Sequence, residues 1–264
     1  MKTMLVTGAT NGTGYAIAAR FARAGYGVVI TSREGDRAAE AAARLAAETG
    51  AWTKGAALAP VDEAQIIALF DELRAEGRTV DTVVLNAANL GIGMDALTVD
   101  YRKFMEVFET NIGWNFLIAR QGALQMKEKG GGAIVFINSN TAYRAIPDRC
   151  AYGSSKSGVL GLARALAVDW GKFNIRVNCV LPGMIKTVRW QTNYNDCRSA
   201  MSNFTPLGDI AEFEDIANAA WFLGSDESRN ITGAEITVDG GMSCQLFPQL
   251  LKELKQRYID EQTV

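Results

Sequence analysis

The chain has 264 residues and a net charge of -2, and 48% of its residues are hydrophobic, which excludes a disordered chain. It has no basic block or stripe, which argues against a nucleic-acid-binding protein. No apolar run reaches the length of a membrane span and no signal-peptide core opens the chain, so we expect a cytoplasmic protein without a membrane partner.

Histidine is absent from the chain. This excludes Ser-His-Asp hydrolases, Cys-His proteases and metal sites with histidine ligands. Cys150, Cys179, Cys197 and Cys244 lack paired spacing, so we expect reduced thiols rather than disulfides or a zinc site. Proton transfer near neutral pH must therefore use a tyrosine, lysine, cysteine or carboxyl group with a shifted pKa.

A glycine-rich turn links the first predicted strand, residues 4–7, to a helix predicted over 15–24. Gly8, Gly12 and Gly14 lie in this turn. Glycines let the backbone approach a pyrophosphate, and the helix N-terminus offers unpaired N–H groups and a positive dipole end. The arrangement predicts a dinucleotide phosphate site, although a tight turn would use the same glycines.

The second predicted strand, 27–31, is followed by Ser32 and Arg33. A dinucleotide fold that prefers NAD usually has an acidic residue here, bonded to the ribose 2′-hydroxyl. An arginine fork instead suits a 2′-phosphate. We therefore predict NADP(H), with NAD(H) as the alternative. Glu34 favours that alternative, and Arg33 taken singly is also typical of an exposed strand end.

Strands and helices alternate along the rest of the chain. The predicted helices cover 36–49, 63–76, 105–126, 152–170 and 212–223, and the predicted strands cover 54–58, 81–85, 133–137, 175–181 and 235–238. The alternation predicts an α/β protein, a three-layer doubly wound Rossmann fold with a seven-stranded parallel sheet. We expect one domain over 1–243 and a helical C-terminal extension over 244–264.

Tyr152 and Lys156 are four residues apart and share one face of a predicted helix. A lysine ammonium favours a phenolate and should lower the pKa of the tyrosine from its usual value near 10. Such a phenol can exchange a proton during chemistry. Alone the pair is a weak signal, but Asn111 interrupts a long predicted helix and Ser139 follows a predicted strand.

These motifs, in this order, resemble the short-chain dehydrogenase/reductase family, in its subgroup of about this size. The resemblance implies that Tyr152 exchanges a proton with the substrate oxygen and that Lys156 lowers its pKa and binds the nicotinamide ribose. It implies that Ser139 holds the substrate oxygen and that Asn111 fixes a water that relays protons from Lys156. It implies that the dinucleotide is held by Gly8, Thr10, Asn11, Gly12, Gly14, Ser32, Arg33, Asn86, Tyr152, Lys156, Pro182, Gly183, Ile185 and Thr187.

The chain departs from the family pattern near the third predicted strand. The family usually has an aspartate there that contacts the adenine, and this chain has Leu58-Ala59-Pro60-Val61. Asn11 stands where NADP-preferring members often have a basic residue. The missing aspartate predicts that the adenine contact is lost or moved, and Asn11 favours the NAD(H) alternative.

Aromatic residues and the C-terminal tail bear on substrate and assembly. Trp190, Tyr194 and Phe204 lie where family members cover the substrate, so they favour an apolar or ring-containing small molecule, or equally a core or interface role. Apolar residues between Leu246 and Tyr258 recur at helical spacing, which indicates a helix packed on its own domain or on a second subunit. The resemblance implies a homotetramer or a homodimer.

We therefore predict an NADP(H)-dependent oxidoreductase that interconverts a ketone and a secondary alcohol by direct hydride transfer, with Tyr152 as general acid and base. One alternative is a 3-oxoacyl thioester reductase of fatty acid synthesis. The other is a regulator that senses NADP(H) without turnover. The retained Tyr152 and Lys156 favour an enzyme.

Overall fold

The computed structural model describes residues 1–187, 204–246 and 252–262. Trp190, Tyr194 and Cys197 lie outside these ranges, as do Phe247, Leu250 and Leu251 of the apolar tail. In the described part of the chain no helix is both long and apolar enough to cross a membrane.

Seven strands form one sheet in the order β3-β2-β1-β4-β5-β6-β7. The strands are β1 (Thr3–Thr7), β2 (Gly27–Ser32), β3 (Thr53–Ala57), β4 (Thr82–Leu85), β5 (Gly132–Ile137), β6 (Ile175–Pro182) and β7 (Glu235–Val238). Every pairing is parallel, with Val6 opposite Ile30 and Val84 opposite Val135. The order reverses between β1 and β4, so the predicted doubly wound parallel sheet is confirmed, and ligands are expected beyond the carboxyl ends of its strands.

Helices cover both faces of the sheet. They are α1 (Gly12–Arg23), α2 (Gly35–Thr49), α3 (Glu63–Ala75), α4 (Tyr101–Phe108), α5 (Asn115–Lys129), α6 (Cys150–Gly171) and α7 (Phe213–Gly224). A further helix, α8 (Lys252–Gln262), lies in the C-terminal tail. One core contains Leu5 and Val83 with buried residues of α3, α5 and α6, and the other contains Met4 and Val6 with residues of α1 and α7. Alternate strand residues thus enter opposite layers, because side chains of a strand alternate between the two faces.

A π-helix, Glu109–Trp114, joins α4 to α5. It lies where Asn111 and Gly113 predicted a break in one long helix. Isolated π-turns inside α-helices are rare and are often found at functional sites. The extra residue in the turn carries Asn111 into the protein interior, where its side chain is fully buried.

Candidate active site

The turn between β1 and α1 is built for a close approach to the backbone. Gly8 and Gly12 have φ angles of +62° and +55°, in the left-handed region that favours glycine. A Cβ on Gly14 would lie 2.5 Å from the Gly8 carbonyl oxygen and 2.7 Å from the Asn86 side-chain nitrogen. Side chains are therefore excluded at these positions, and the start of α1 stays open to a ligand.

Asn86 ties the end of β4 to this turn. Its side-chain nitrogen donates to the carbonyl oxygens of Thr7 at 3.0 Å and Gly8 at 2.9 Å. The Thr7 hydroxyl accepts from the backbone N–H groups of Asn86 and Ala87, both at 3.0 Å. The two central strands therefore end in one fixed unit at the carboxyl edge of the sheet.

A cavity of about 970 Å³ opens at this edge. Residues predicted to hold the dinucleotide form much of its lining, namely Gly8, Thr10, Asn11, Gly12, Gly14, Ser32, Arg33, Asn86 and Thr187. Five of the predicted residues are outside the lining, namely Tyr152, Lys156, Pro182, Gly183 and Ile185. The last three belong to the end of β6 and the segment after it. Gly183 donates to the Val238 carbonyl oxygen at 3.0 Å, and Thr187 donates to Ile185 at 2.7 Å. This segment brings Thr187 back to the cavity.

Three charged side chains line the cavity beyond β2. Arg33 is exposed and has no hydrogen-bond or ion-pair partner in the described ranges. Arg37, on the first turn of α2, lies 3.0 Å from the Glu34 carboxylate. The Glu34 charge is therefore compensated by Arg37, whereas the Arg33 guanidinium is available to a ligand.

Lys156 is enclosed by protein, with 3% of its surface exposed. Its Nζ donates to the Ile137 carbonyl oxygen, at the end of β5, at 2.9 Å. The same Nζ lies 5.6 Å from the centre of the Tyr152 ring. Because burial disfavours the ammonium, it lowers the pKa of Lys156 to about 8, so the side chain is still mainly charged at pH 7.

The Tyr152 phenol has a pKa raised above its usual value of 10, and burial is the largest cause. The neighbouring Ser139 hydroxyl and the positive charge of Arg149 act in the opposite direction. The prediction that Lys156 lowers this pKa is therefore wrong for the groups that the chain itself supplies. Tyr152 is a phenol, not a phenolate, at neutral pH.

Ser139 follows β5 and begins the short 3-10 helix Asn140–Ala142. Its hydroxyl oxygen accepts from the Thr141 backbone N–H at 3.2 Å, which leaves the hydroxyl hydrogen free to donate. Ser139 is buried, and its hydroxyl interacts with the Tyr152 phenol. Two hydroxyl donors thus meet at one point beyond β5.

The buried Asn111 amide connects three parts of the site. Its Oδ1 accepts from the Asn89 backbone N–H at 2.7 Å, and its Nδ2 donates to the Asn89 carbonyl oxygen and to the Ser155 Oγ, each at 2.9 Å. Ser155 in turn donates to the Tyr152 carbonyl oxygen at 2.8 Å. Asn111 therefore holds the loop after β4 against the first turns of α6, where Tyr152 and Lys156 lie.

The fold and this geometry have close counterparts among known proteins. A family model described as enoyl-(acyl carrier protein) reductase matches residues 8–243. The 3-oxoacyl-(acyl-carrier-protein) reductase FabG of Chlamydia trachomatis serovar D is 34% identical, over 92% of this chain and 97% of the relative. The D-threitol dehydrogenase of Mycolicibacterium smegmatis is 33% identical, over 91% and 92%.

Solved structures of dehydrogenases share this fold. A 7α-hydroxysteroid dehydrogenase complexed with NADH and 7-oxo glycochenodeoxycholic acid is 31% identical with a TM-score of 0.84, over 91% of this chain and 93% of its own. A short-chain type dehydrogenase/reductase from Mycobacterium ulcerans is 30% identical with a TM-score of 0.86, over 97% and 94%. The chain belongs to the short-chain dehydrogenase/reductase family. It is an oxidoreductase of that family, whose members bind NAD(P)(H).

Several residues of this short-chain dehydrogenase/reductase site were not identified from the sequence. Thr110, Trp114, Arg37 and Phe213 also line the large cavity. Arg37 could have been found from its place one helical turn after Arg33. Trp114 and Thr110 reach the cavity through the π-helix, and no pattern of local spacing indicates this.

The cavity of this family member fits a dinucleotide. The glycine turn gives phosphates access to backbone N–H groups, and Arg33 supplies an exposed positive charge near the end of β2. The edge near the third strand differs from the expected family contact. Pro60 lines the cavity without an N–H group, and the Ala59 N–H donates to the Gln65 side chain at 2.6 Å. Neither backbone group is therefore available to donate to an adenine.

Proposed function

We propose that the chain is an NADP(H)-dependent oxidoreductase that interconverts a ketone and a secondary alcohol by direct hydride transfer. One observation carries this proposal. A phenol, a second hydroxyl and a buried ammonium, from Tyr152, Ser139 and Lys156, converge beyond β5, beside a cavity that fits a dinucleotide. This set can polarise a carbonyl oxygen and deliver a proton to it without histidine.

Each side chain has a distinct role in the proposal. The bound reduced cofactor supplies the hydride. Tyr152 donates its proton to the carbonyl oxygen in reduction, or accepts it from the alcohol in oxidation. Ser139 donates a hydrogen bond to the same oxygen, where negative charge develops. Lys156 has N–H groups beyond the one that binds Ile137, and these would hold ribose hydroxyls.

Asn111 positions the first turns of α6, which carry Tyr152 and Lys156, through its hydrogen bonds to Ser155 and Asn89. The side-chain amide of Asn111 is fully engaged by protein groups, so the proposed proton-relay water would bind at the backbone carbonyl oxygen of Asn111. That oxygen also accepts from the Asn115 side chain at 3.0 Å. A carbonyl oxygen has two lone pairs, so both interactions are compatible.

Ser32 and the exposed Arg33 guanidinium at the end of β2 support NADP(H) over NAD(H). An arginine fork binds a phosphate with charge-assisted hydrogen bonds. Arg33→Ala should weaken NADPH binding by about tenfold and leave NADH binding unchanged. Fluorescence titration of both nucleotides measures this, and an equal effect on both would argue against a 2′-phosphate contact.

The proposed reaction is tested by following NADPH and NADH oxidation with a panel of ketones. Tyr152→Phe removes the proton donor and preserves the ring. We expect a loss of at least 10²-fold in kcat with unchanged nucleotide binding. Equal rates for the wild-type protein and the variant would refute the proton-transfer role. Nucleotide binding without turnover of any ketone would instead favour the sensing regulator.

A second candidate is a 3-oxoacyl thioester reductase, which the names of several relatives favour. Lys127, Lys129 and Lys172 are scattered candidates for contact with an acidic carrier protein. Lys127 and Lys129 lie in the last turn of α5 and Lys172 follows α6, at the amino edge of the sheet, and Lys129 pairs with Asp81 at 2.6 Å. Comparing acetoacetyl-coenzyme A with small ketones at equal concentration separates the two candidates.

We also propose that the chain forms a homotetramer or homodimer through α5 and α6. Leu124 is 48% exposed and Val168 is 81% exposed on these helices. Covering such side chains with a second subunit would remove their apolar surface from water. Light scattering of Leu124→Glu and Val168→Glu would report dissociation if this proposal holds, and unchanged mass would count against it.

A further inference from the structure

Arg149 is a half-buried cation at the entrance to the candidate active site. It immediately precedes α6 and lies three residues before Tyr152. Its Nη1 donates to the Leu90 carbonyl oxygen at 2.7 Å. Leu90 also lines the large cavity, and a Cβ on the next residue, Gly91, would lie 3.5 Å from the Tyr152 Cβ. The guanidinium is therefore attached to a loop that both lines the cavity and packs beside Tyr152.

The Arg149 charge has no carboxylate partner in residues 1–187, 204–246 or 252–262. A guanidinium has five N–H donors, and the contact to Leu90 uses one of them. Arg176 is a useful contrast, because this other half-buried arginine bonds to Leu223, Ser225 and Ser228. Arg176 is satisfied by the fold, whereas Arg149 keeps donors for a ligand.

The backbone before α6 fixes the direction of Arg149. Asp148 has a φ of +54°, an uncommon angle for a residue other than glycine. Its carbonyl oxygen accepts from the Met94 backbone N–H at 3.0 Å, and the Arg149 carbonyl oxygen accepts from Gly153 at 2.9 Å. Strained backbone that is held on both sides is found preferentially at ligand sites.

The charge is also close enough to act on Tyr152. The positive charge of Arg149 is among the causes that reduce the upward shift of the Tyr152 pKa. Arg149 and Tyr152 are three residues apart where α6 begins, so one small molecule could contact both side chains. This arrangement suits a substrate that carries its carbonyl and its anionic group on the same short carbon chain.

We propose that Arg149 binds a carboxylate of the substrate and so selects oxo acids and hydroxy acids over neutral ketones and alcohols. The inference rests on the proposed function and narrows its substrate class. Arginine suits this role because its planar fork matches the two oxygens of a carboxylate. Because Arg149 is half-buried, water competes for its guanidinium less than it does at a fully exposed arginine.

The test compares each oxo acid with its methyl ester, which removes the charge and keeps the carbonyl. The probes are benzoylformate, acetoacetate and levulinate, in which the two groups are progressively further apart, and their methyl esters. In the wild-type protein, kcat/KM is measured for all six. For the preferred acid, Arg149→Gln should lower kcat/KM by about 10- to 100-fold, mainly through KM.

The change in the acid-to-ester ratio is the deciding quantity. Arg149→Gln also alters the Tyr152 pKa, but that effect acts on acid and ester alike and cancels in the ratio. Arg149→Lys keeps the charge and should retain part of the preference, which also protects the test if the glutamine variant does not fold. Arg144→Gln, on the exposed part of the same loop, serves as the matched control and should leave the ratio unchanged.

Equal losses for acid and ester in all three pairs would overturn the assignment of Arg149. The proposed function would survive that result, because the esters would still be reduced. Absence of turnover with every acid and ester, together with intact nucleotide binding, would overturn the proposed function and this inference with it.

Discussion

Lys156 carries a stability cost that a substitution can measure. Its side chain is enclosed, and burial lowers its pKa from 10.5 to about 8. That lowering corresponds to roughly 3 kcal/mol in favour of the neutral amine. Below pH 8 both the folded and the unfolded protein carry the ammonium, so the folded state bears the whole cost. Between pH 8 and 10.5 only the unfolded chain keeps the proton, so stability rises with pH.

Lys156→Met removes the ammonium and keeps an unbranched apolar side chain. At pH 7 the variant should recover the roughly 3 kcal/mol cost, less about 1 kcal/mol for the lost hydrogen bond to the Ile137 carbonyl oxygen. We therefore expect the free energy of unfolding to rise by about 2 kcal/mol at pH 7, while activity is lost. Between pH 8 and 10.5 the wild-type protein loses the cost of the buried charge, so the stability advantage of the variant should shrink and become a small disadvantage.

Urea unfolding at pH 7, 8, 9 and 10 measures this difference between variant and wild type. Other groups that titrate in this range are common to both proteins and largely cancel. The exception is the buried Cys179 thiol, whose pKa is raised to about 12 by burial and lowered in part by the Lys156 charge. Lys103→Met, on the exposed face of α4, is the control and should change stability little at every pH. A Lys156→Met protein that is destabilised at pH 7 by an amount independent of pH would refute the reasoning.

Four further predictions follow from the site. Gly14→Ala would place a Cβ 2.5 Å from a backbone carbonyl oxygen, so we expect the melting temperature to fall by about 5 °C or more and dinucleotide binding to be lost. In the control Gly161→Ala the added Cβ has no neighbouring atom within 4 Å in the described residues, so calorimetry and nucleotide titration should show little change. Ser139→Ala should lower kcat by about 10²-fold without changing NADPH affinity, and an equal loss of affinity would count against a contact to the substrate. Asn111→Leu should cost about 3 kcal/mol in chemical unfolding because it leaves buried partners unpaired. Because the Tyr152 pKa is raised, ketone reduction should be independent of pH between 6 and 8 while alcohol oxidation increases with pH; a decline in reduction over this range would contradict the direction of the shift.

The sheet could be predicted from sequence because each central strand is a short apolar run bounded by turn residues. Such runs, separated by long helices, leave few arrangements once crossovers must be right-handed. The π-helix could not be predicted in the same way. A weak helix former at Asn111 indicated a break, but the shape of the break depends on hydrogen bonds to Asn89 and Ser155, which are distant in the sequence.

The site was predictable where spacing alone brings groups together, as for Tyr152 and Lys156 on one helix turn. It was not predictable where the fold returns distant segments to the same place. Arg149 illustrates the difference, because its guanidinium donates a hydrogen bond to the carbonyl oxygen of Leu90, a residue 59 positions earlier in the chain. The direction of the Tyr152 pKa shift was predicted wrongly for a related reason. Sequence spacing shows that Lys156 lies near Tyr152, but the burial of the phenol, which raises its pKa, depends on tertiary packing.

Burial acts on Tyr152 and Lys156 in opposite directions, since it disfavours the charged form of each. It raises the pKa of the phenol and lowers that of the ammonium, so the tyrosine holds its proton more tightly than the lysine does. The chain alone therefore presents a protonated phenol at neutral pH, which is the form that can donate to a carbonyl oxygen. Removing a proton from an alcohol requires the phenolate, which hydrogen bonds from neighbouring hydroxyls and nearby positive charge favour in this enclosed site. The charge of Arg149 acts in that direction, and an oxidised nicotinamide, which is cationic, would act in the same direction, so the proton affinity of Tyr152 would follow the redox state of the bound cofactor.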